Sequence, residues 1–250
     1  MLHPDFLSRP LAHRGLHGPG VPENSMAAFR AAMERGYGIE LDVQPAADGT
    51  PLVFHDEELF RLTGTDGRVA ALSVAEAAAR RLLGTDQTIS TLAQVLEIVA
   101  GRVPVLIEIK DQDGALGPGM GDLPARVAEA VCPHAAKGHP VAVMSFNPCA
   151  VRALREGDPA LTVGLTSCAF PKRSWPGVPQ KRRAALARLE DFEEIGATFV
   201  SHDHRDLGNP AVGRLAARGV PVLCWTIRSP LEEAAARRVA RNITFEGYLP

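Results

Sequence analysis

The sequence predicts an α/β fold, a (β/α)8 TIM barrel, and two observations carry that prediction. Short β-rich runs alternate with alanine-rich helical stretches along the chain, the pattern of βαβ units around a parallel sheet. The length of 250 residues also suits one such barrel, which routinely fills about 200–250 residues as a single domain. We therefore expect one barrel domain over residues 1–250, with a small insertion at 57–90 beside the barrel mouth.

Nine runs have the composition of strands. In chain order they are 10–14, 38–44, 51–55, 103–109, 141–146, 161–166, 198–202, 221–227 and 242–246.

Helix signals lie between most of these runs. Asn24 is expected to cap a helix near 25–36, and the Ser-Thr pair at 90–91 to begin another over 91–100. Proline favours the first helical turn, so three more helices are predicted to begin near Pro148, Pro210 and Pro230.

Nine strands are one more than the barrel needs, and a turn signal locates the extra one. The Asp-Gly pair at 48–49 is the strongest short-range hairpin signal in the chain. Residues 51–55 are therefore predicted to return antiparallel beside 38–44, which leaves eight parallel strands. A two-residue loop would place His55 opposite Asp42.

Composition and charge exclude several classes of protein. With 46% hydrophobic residues, the chain has the apolar content for a core, which a disordered chain lacks. The net charge of −2 provides no global field to hold nucleic acid or an anionic membrane, so any anion must bind locally. We expect a small-molecule substrate and no nucleic-acid partner.

The amino-terminal segment and the cysteines predict a cytoplasmic protein. Residues 1–15 contain no apolar run behind a basic region, and no stretch approaches the roughly 18 apolar residues of a membrane span. The four cysteines have neither zinc-site nor disulfide-scaffold spacing, so most are expected to be buried as small apolar side chains.

Charged residues interrupt two otherwise apolar strands. Glu40 and Asp42 are two residues apart and so share a strand face, as do Glu108 and Lys110. Charges near the carboxyl ends of barrel strands project into the mouth, where barrel active sites lie. One interpretation is a structural ion network with Lys110 or Arg14. The favoured one is a site for Mg²⁺ or Ca²⁺, because three carboxylates leave excess negative charge and offer only oxygen ligands.

Two histidines at strand ends suggest acid–base chemistry. His13 and His55 have an unperturbed pKa near working pH, which suits a general acid and a general base. Arg14 and Lys110 would supply positive charge to a phosphoryl oxyanion. Together with an oxygen-ligated metal, these residues predict phosphate-ester cleavage.

Two further features near strand ends have more than one interpretation. Trp225 would either stack on the carbon face of a substrate or plug the barrel. His202 and His204 have the H-x-H spacing of metal ligands, but only Asp203 and Asp206 lie near them in sequence.

Several short motifs follow one another along nearly the whole chain. They include Ala12-His13-Arg14-Gly15, Pro22-Glu23-Asn24-Ser25, Ile39-Glu40-Leu41-Asp42-Val43, Leu52-Val53-Phe54-His55-Asp56, Glu108-Ile109-Lys110, Ser145-Phe146-Asn147-Pro148 and Trp225-Thr226. In this order they resemble the glycerophosphodiester phosphodiesterases. The resemblance implies a barrel with a small insertion after the hairpin, and hydrolysis of glycerophosphodiesters to glycerol 3-phosphate and an alcohol.

The resemblance also implies roles for individual residues. His13 and His55 look like the acid–base pair, and one Mg²⁺ or Ca²⁺ would be held by Glu40, Asp42 and Glu108. The residues that would bind substrate are Arg14, Lys110, Glu23, Asn24 and Trp225, with Trp225 as a wall for the glycerol.

Three departures from the family pattern concern substrate choice more than chemistry. Ser25 stands where the family usually has Thr, and Arg228 where it usually has Asn. The last strand runs into Phe245-Glu246 rather than the usual Ile-Thr-Asp ending.

The sequence leaves several alternatives open. Either histidine would serve as the base, and either the glycerol 2-hydroxyl or a water would attack. Alternative functions are lysophospholipase D-like hydrolysis of lysophospholipids, or a non-catalytic barrel that binds a phosphorylated metabolite.

Overall fold

The computed structural model describes all residues, 1–250, and eight parallel strands close into a barrel. The strands are β1 (Leu11–Ala12), β2 (Gly38–Pro45), β3 (Pro51–Val53), β4 (Val105–Ile109), β5 (Val141–Ser145), β6 (Val163–Ser167), β7 (Phe199–Asp203), β8 (Val222–Ile227) and β9 (Asn242–Phe245). β1 pairs in parallel with both β2 and β9, which closes the ring, while β3 lies antiparallel on β2. The predicted (β/α)8 barrel is confirmed.

One short helix precedes β1, and the other helices lie between the strands, as predicted. They are α1 (Asp5–Ser8), α2 (Met26–Glu34), α3 (Phe60–Thr63), α4 (Val74–Ala79), α5 (Leu92–Val99), α6 (Leu123–Ala135), α7 (Pro148–Gly157), α8 (Gln180–Ala187), α9 (Pro210–Ala217) and α10 (Pro230–Ala236). Proline begins α7, α9 and α10, where its missing N–H costs no helical hydrogen bond. None of these helices combines the length and apolarity that crossing a bilayer requires.

The start of α2 differs from the prediction. Ser25, not Asn24, is the N-cap, and its hydroxyl accepts a hydrogen bond from the Ala28 N–H at 3.2 Å. Asn24 instead has a left-handed backbone (φ 53°) and directs its side chain towards the barrel. The two polar residues therefore divide the tasks that the sequence assigned to Asn24 alone.

Alternation along the strands separates two apolar layers. Residues such as Leu41, Ile107 and Val143 point outward and pack against the helices. The opposite faces fill the barrel interior, where Leu106 and Phe199 meet Phe6 from α1. Glu40, Asp42 and Glu108 share the inward face: Glu40 pairs with Leu106, and Asp42 and Glu108 pair with each other one inward position closer to the mouth.

The hairpin register is one residue away from the prediction. Val43 pairs with Val53 and Pro45 with Pro51, so Phe54 rather than His55 faces Asp42. The turn is longer than two residues because Gly49 adopts φ +82° and the Ala46 N–H donates to the Thr50 carbonyl. His55 thus lies just beyond β3.

Residues 57–90 fold beside the hairpin. They contain α3, α4 and a short 3₁₀ turn, and an apolar cluster packs Leu59, Leu72 and Leu82 against Leu52 and Phe54 of the hairpin. This contact fixes the segment next to the strand ends that carry Asp42 and His55.

The four cysteines carry free thiols. Cys168 and Cys224 are buried, whereas Cys132 and Cys149 are half-buried on helices, so two of the four cysteines, and not most of them, are buried as expected.

Candidate active site

A cavity of about 580 Å³ opens at the carboxyl ends of the strands. Eight of the ten residues that the sequence singled out line it: His13, Arg14, Glu40, Asp42, His55, Glu108, Lys110 and Trp225. The other two, Glu23 and Asn24, lie behind the lining and contact residues within it.

Three carboxylates form the floor of this cavity. Glu40 and Asp42 occupy alternate positions of β2, and Glu108 lies beside Asp42 in the parallel register of β4. One oxygen from each lies within 4.8 Å of the other two, and all three residues are buried. The period of the strands therefore brings the predicted acidic set together.

Two cations neutralise part of this charge. The Lys110 ammonium lies 3.0 Å from Asp42 Oδ1 and 2.7 Å from Glu108 Oε1. Arg14 places its Nε 3.3 Å from Asp42 Oδ2 and donates its backbone N–H to Glu40 Oε2 at 3.1 Å. The ion network that the sequence offered as an alternative is thus formed, but it leaves three carboxylates against two cations.

Glu40 is the carboxyl whose ionised form the surroundings disfavour most clearly. Burial raises the pKa of Glu40, and repulsion from Asp42 and Glu108 raises it further. At Asp42 the cost of burial is outweighed by Lys110 and by other neighbouring cations, so the pKa of that carboxyl lies well below its usual range. A buried set of oxygen donors with uncompensated charge fits a hard divalent cation, Mg²⁺ or Ca²⁺.

His13 follows β1 at a tight turn. Gly15 has φ +78°, and a Cβ there would lie 2.8 Å from that of Ala28, so the turn admits only glycine without rearrangement. The His13 Nδ1 contacts Glu246 Oε2, beyond β9. The hydrogen bond from His13 is the largest of several contacts that hold the pKa of Glu246 well below its usual range.

His55 has a similar carboxylate partner. Its Nδ1 lies 2.6 Å from Asp56 Oδ1, and Arg61 donates to Asp56 Oδ2 at 2.5 Å. Arg61 also binds both oxygens of Glu23, and Glu23 accepts from Arg14 at 2.7 Å. Burial, together with the nearby ammonium of Lys110, lowers the pKa of His55, so the imidazole is mainly neutral at pH 7.

Asn24 supports the floor from behind. Its side-chain amide donates to Asp42 Oδ2 at 3.0 Å, and the residue is 1% exposed. Glu23 and Asn24 thus act on Arg14 and Asp42 respectively, instead of facing the cavity as the resemblance implied.

Trp225 forms one wall of the cavity. Its indole N–H donates to the Ser201 carbonyl at 3.1 Å, and its ring packs edge-on against Phe146 with centroids 5.6 Å apart. Trp175 packs against the same phenylalanine at 5.0 Å. This part of the cavity wall is therefore aromatic.

The H-x-H pair does not form a metal site. His202 is fully buried, with its Nδ1 2.7 Å from the Ser167 hydroxyl and its Nε2 3.0 Å from Asp206 Oδ2. His204 lies in a 3₁₀ turn at the rim of the cavity. Both ring nitrogens of His202 are occupied, so it has no free donor for a metal.

Sequence reasoning missed four residues of the site. Asp56 directly follows His55, and that adjacency was a usable signal for its role. Arg61 lies five residues from Asp56, but its second partner, Glu23, is 38 residues away. The Phe146–Trp225 and His13–Glu246 contacts had no local signal, because the partners lie far apart in the chain.

Comparison with known proteins identifies a family. The model of the Glycerophosphoryl diester phosphodiesterase family matches residues 13–244. The glycerophosphodiester phosphodiesterase of Caldanaerobacter subterraneus subsp. tengcongensis is 34% identical over 165 residues, which cover 62% of this chain and 65% of that relative. That of Bacillus altitudinis is 40% identical over 111 residues, covering 42% of this chain and 45% of the relative. The matched segments thus span less than two thirds of these relatives.

Solved structures share the fold. A phosphodiesterase of Oleispira antarctica, in complex with the product sn-glycerol-3-phosphate, superposes with a TM-score of 0.78 at 23% identity, over 95% of this chain and 92% of that one. A glycerophosphodiester phosphodiesterase of Thermotoga maritima superposes with a TM-score of 0.69 at 24% identity, over 94% and 92%.

Proposed function

This chain belongs to the glycerophosphoryl diester phosphodiesterase family, and we propose that it hydrolyses glycerophosphodiesters to glycerol 3-phosphate and an alcohol. The observation that carries the proposal is one cavity that holds two histidines, three buried carboxylates and two half-buried cations. We further propose that the chain works as one barrel domain, with residues 57–90 beside the mouth.

Arg14 and Lys110 are the proposed phosphate-binding residues. Both cations line the cavity and are held by carboxylates, so little reorganisation is needed when a phosphoryl oxygen approaches them. Their positive charge favours the transition state, in which charge builds on the phosphoryl oxygens.

The two histidines are proposed to move the protons. One removes a proton from the attacking hydroxyl as the new P–O bond forms, and the other protonates the alkoxide that leaves as the old bond breaks. Each uses its Nδ1 to contact a carboxylate, which leaves Nε2 for the substrate. The attacking group is either the glycerol 2-hydroxyl, through a cyclic phosphate, or a water.

Glu40, Asp42 and Glu108 are proposed to hold one divalent cation, Mg²⁺ or Ca²⁺. When bound, such a cation supplies Lewis-acid stabilisation of the phosphoryl oxygens. Asn24 orients Asp42 within this set through its amide hydrogen bond, while Glu23 orients Arg14.

Trp225 and Phe146 are proposed to bound the glycerol. Their apolar rings face a cavity whose other lining is mostly polar, so the carbon face of glycerol would pack on them and its hydroxyls would face the charged side.

A panel of glycerophosphodiesters with different head groups tests the proposal. The metal-stripped protein is assayed with Mg²⁺, with Ca²⁺ and with excess EDTA, and glycerol 3-phosphate is measured. We expect release with one of the cations and loss of activity in EDTA. Full activity in EDTA would overturn the metal assignment, and no turnover with either cation would favour a barrel that only binds a phosphorylated metabolite.

Two controls complete the panel. Release of choline from lysophosphatidylcholine but not from glycerophosphocholine would redirect the assignment to a lysophospholipase D-like activity. Glu40→Gln should abolish the response to cation, whereas Glu129→Gln, an exposed helix carboxylate outside the cavity, should leave it unchanged.

A further inference from the structure

Two residues that depart from the family pattern, Arg228 and Glu246, are in contact. Arg228 follows β8 and Glu246 follows β9, and Nε and Nη2 of the arginine both lie 2.8 Å from Glu246 Oε1. The pairing of these two strands shifts register between Cys224 and Ile227, and the Glu246 N–H donates to the Ile227 carbonyl at 3.0 Å. The irregular strand ends thus bring the two side chains together at the rim.

The other oxygen of Glu246 contacts a histidine that lines the cavity. Oε2 contacts the His13 Nδ1 and lies 3.9 Å from the His17 Nε2. Glu246 therefore bridges a rim arginine, whose side chain is 57% exposed, and a histidine that is only 14% exposed.

We propose that Glu246 positions His13 for proton transfer and that Arg228 holds Glu246 in place. The proposal rests on the phosphodiesterase function given above. Neither residue is proposed to touch the substrate atoms that react, so both are positioning residues.

The chemistry of the bridge fixes the histidine tautomer. An ionised carboxylate only accepts hydrogen bonds, so the Nδ1 of His13 must carry the proton that it shares with Glu246. The nitrogen left to exchange protons in the cavity is then Nε2. The contact also fixes the plane of the imidazole, which would otherwise rotate about its side-chain torsions.

Arg228 restricts a side chain that has three torsions of its own. A guanidinium that binds Glu246 Oε1 through two nitrogens leaves Oε2 directed at His13. The backbone N–H of Arg228 donates to Glu232 Oε2 at 2.6 Å, which ties the segment to the start of α10. Because the pair is exposed on the arginine side, it contributes little to stability. Its effect should appear in turnover.

The test compares Glu246→Gln, Glu246→Asp and Arg228→Gln with the wild type. Arg237→Gln is the matched control, since it removes an arginine–glutamate pair of α10 that does not line the cavity. Steady-state kcat and KM are measured on a glycerophosphodiester. The tautomer of His13 is read from the ¹⁵N chemical shifts of the ring nitrogens in each protein without substrate.

We expect Glu246→Gln to lower kcat by about 10–100-fold, the usual range for a residue that orients another, with KM nearly unchanged. Glu246→Asp should restore part of this loss, Arg228→Gln should cause a smaller loss, and Arg237→Gln none. The wild-type His13 should be protonated at Nδ1, and Glu246→Gln should lose that preference.

Two outcomes would overturn the inference. One is a Glu246→Gln enzyme with wild-type kcat, and the other is a wild-type His13 protonated at Nε2. A wild type that turns over no glycerophosphodiester would instead refute the proposed function, while the tautomer measurement would still report on the positioning of His13.

Discussion

The two histidines of the cavity are held in the same way, but from opposite parts of the chain. In the His55 arm, a carboxylate one residue away (Asp56) binds Nδ1, and Arg61 binds that carboxylate. In the His13 arm, the carboxylate lies 233 residues away at Glu246, and Arg228 binds it. Each arm is a histidine, a carboxylate and an arginine in series.

The arms differ in where they end. Arg61 continues to Glu23 and through it to Arg14, so the His55 arm returns to the floor of the cavity. Arg228 ends at the rim, with more than half of its side chain exposed. A change in the His55 arm should therefore disturb both proton transfer and phosphate binding, whereas a change in the His13 arm should disturb proton transfer alone.

The largest effect is expected from the histidines themselves. His13→Ala and His55→Ala should each lower kcat by roughly 10²–10⁴, because each removes one of two proton-transfer groups. Steady-state kinetics on a glycerophosphodiester with saturating cation would measure this, with the exposed His3→Ala as control. If one variant kept wild-type turnover, the comparison between two equivalent arms would fail.

The next prediction concerns Asn24, which is adjacent in sequence to Glu23 of the His55 arm and contacts Asp42 in the floor of the cavity. Asn24→Ala loses the hydrogen bond to Asp42 and leaves the left-handed backbone (φ 53°) to a residue that tolerates it less well than asparagine. We expect a loss of about 1–3 kcal/mol in the free energy of unfolding from the hydrogen bond, and a smaller further loss because alanine tolerates the left-handed backbone less well than asparagine does.

Asn24→Gly is the matched variant, because glycine tolerates the left-handed backbone but lacks the amide. Urea unfolding should rank the wild type above Asn24→Gly and Asn24→Gly above Asn24→Ala. Equal stability of all three proteins would mean that Lys110 and Arg14 alone hold Asp42 in place.

The same contrast explains which features of the site could be predicted from the sequence and which could not. The two-residue period of a strand predicts that Glu40 and Asp42 share one face, and the parallel pairing of β2 with β4 places Glu108 beside them. The three carboxylates of the cavity floor could therefore be predicted from the sequence. The hairpin signal located β3, but turn length is set by the backbone of Gly49, and that put the register one residue off. The partnership of His13 with Glu246 depends on closure of β1 against β9, which no local pattern encodes.

Substitution of Arg61 should show the kinetic difference between the two arms most clearly. Arg61→Gln releases Asp56 and Glu23 together, so we expect kcat/KM to fall roughly tenfold, with KM rising as Arg14 loses its fixed position. Arg228→Gln should leave KM unchanged. Arg68→Gln, which removes an exposed pair with Glu57, is the control.

The difference between the arms is tested by comparing KM in Arg61→Gln with KM in Arg228→Gln. An unchanged KM in Arg61→Gln would show that the link from Glu23 to Arg14 does not affect substrate binding, and a rise in KM for both arginine variants would show that the two arms do not differ.

The smallest expected effect is on the pH dependence of stability, and it comes from His202, a histidine at a strand end whose ring nitrogens are both hydrogen-bonded. Burial lowers the pKa of His202 despite its hydrogen bond with Asp206, so the folded protein takes up a proton there less readily than the unfolded chain, whose pKa is about 6.5. The stability that this neutral histidine contributes is present above about pH 6.5 and is lost as the pH falls towards the folded-state pKa.

Urea unfolding of the wild type and His202→Gln at pH 7.5 and pH 5.5 measures that contribution. We expect the wild type to lose more of its free energy of unfolding between the two pH values than the variant does, although the variant starts lower because it disturbs the contacts with Ser167 and Asp206. Equal losses would mean that His202 binds its proton equally well in both states.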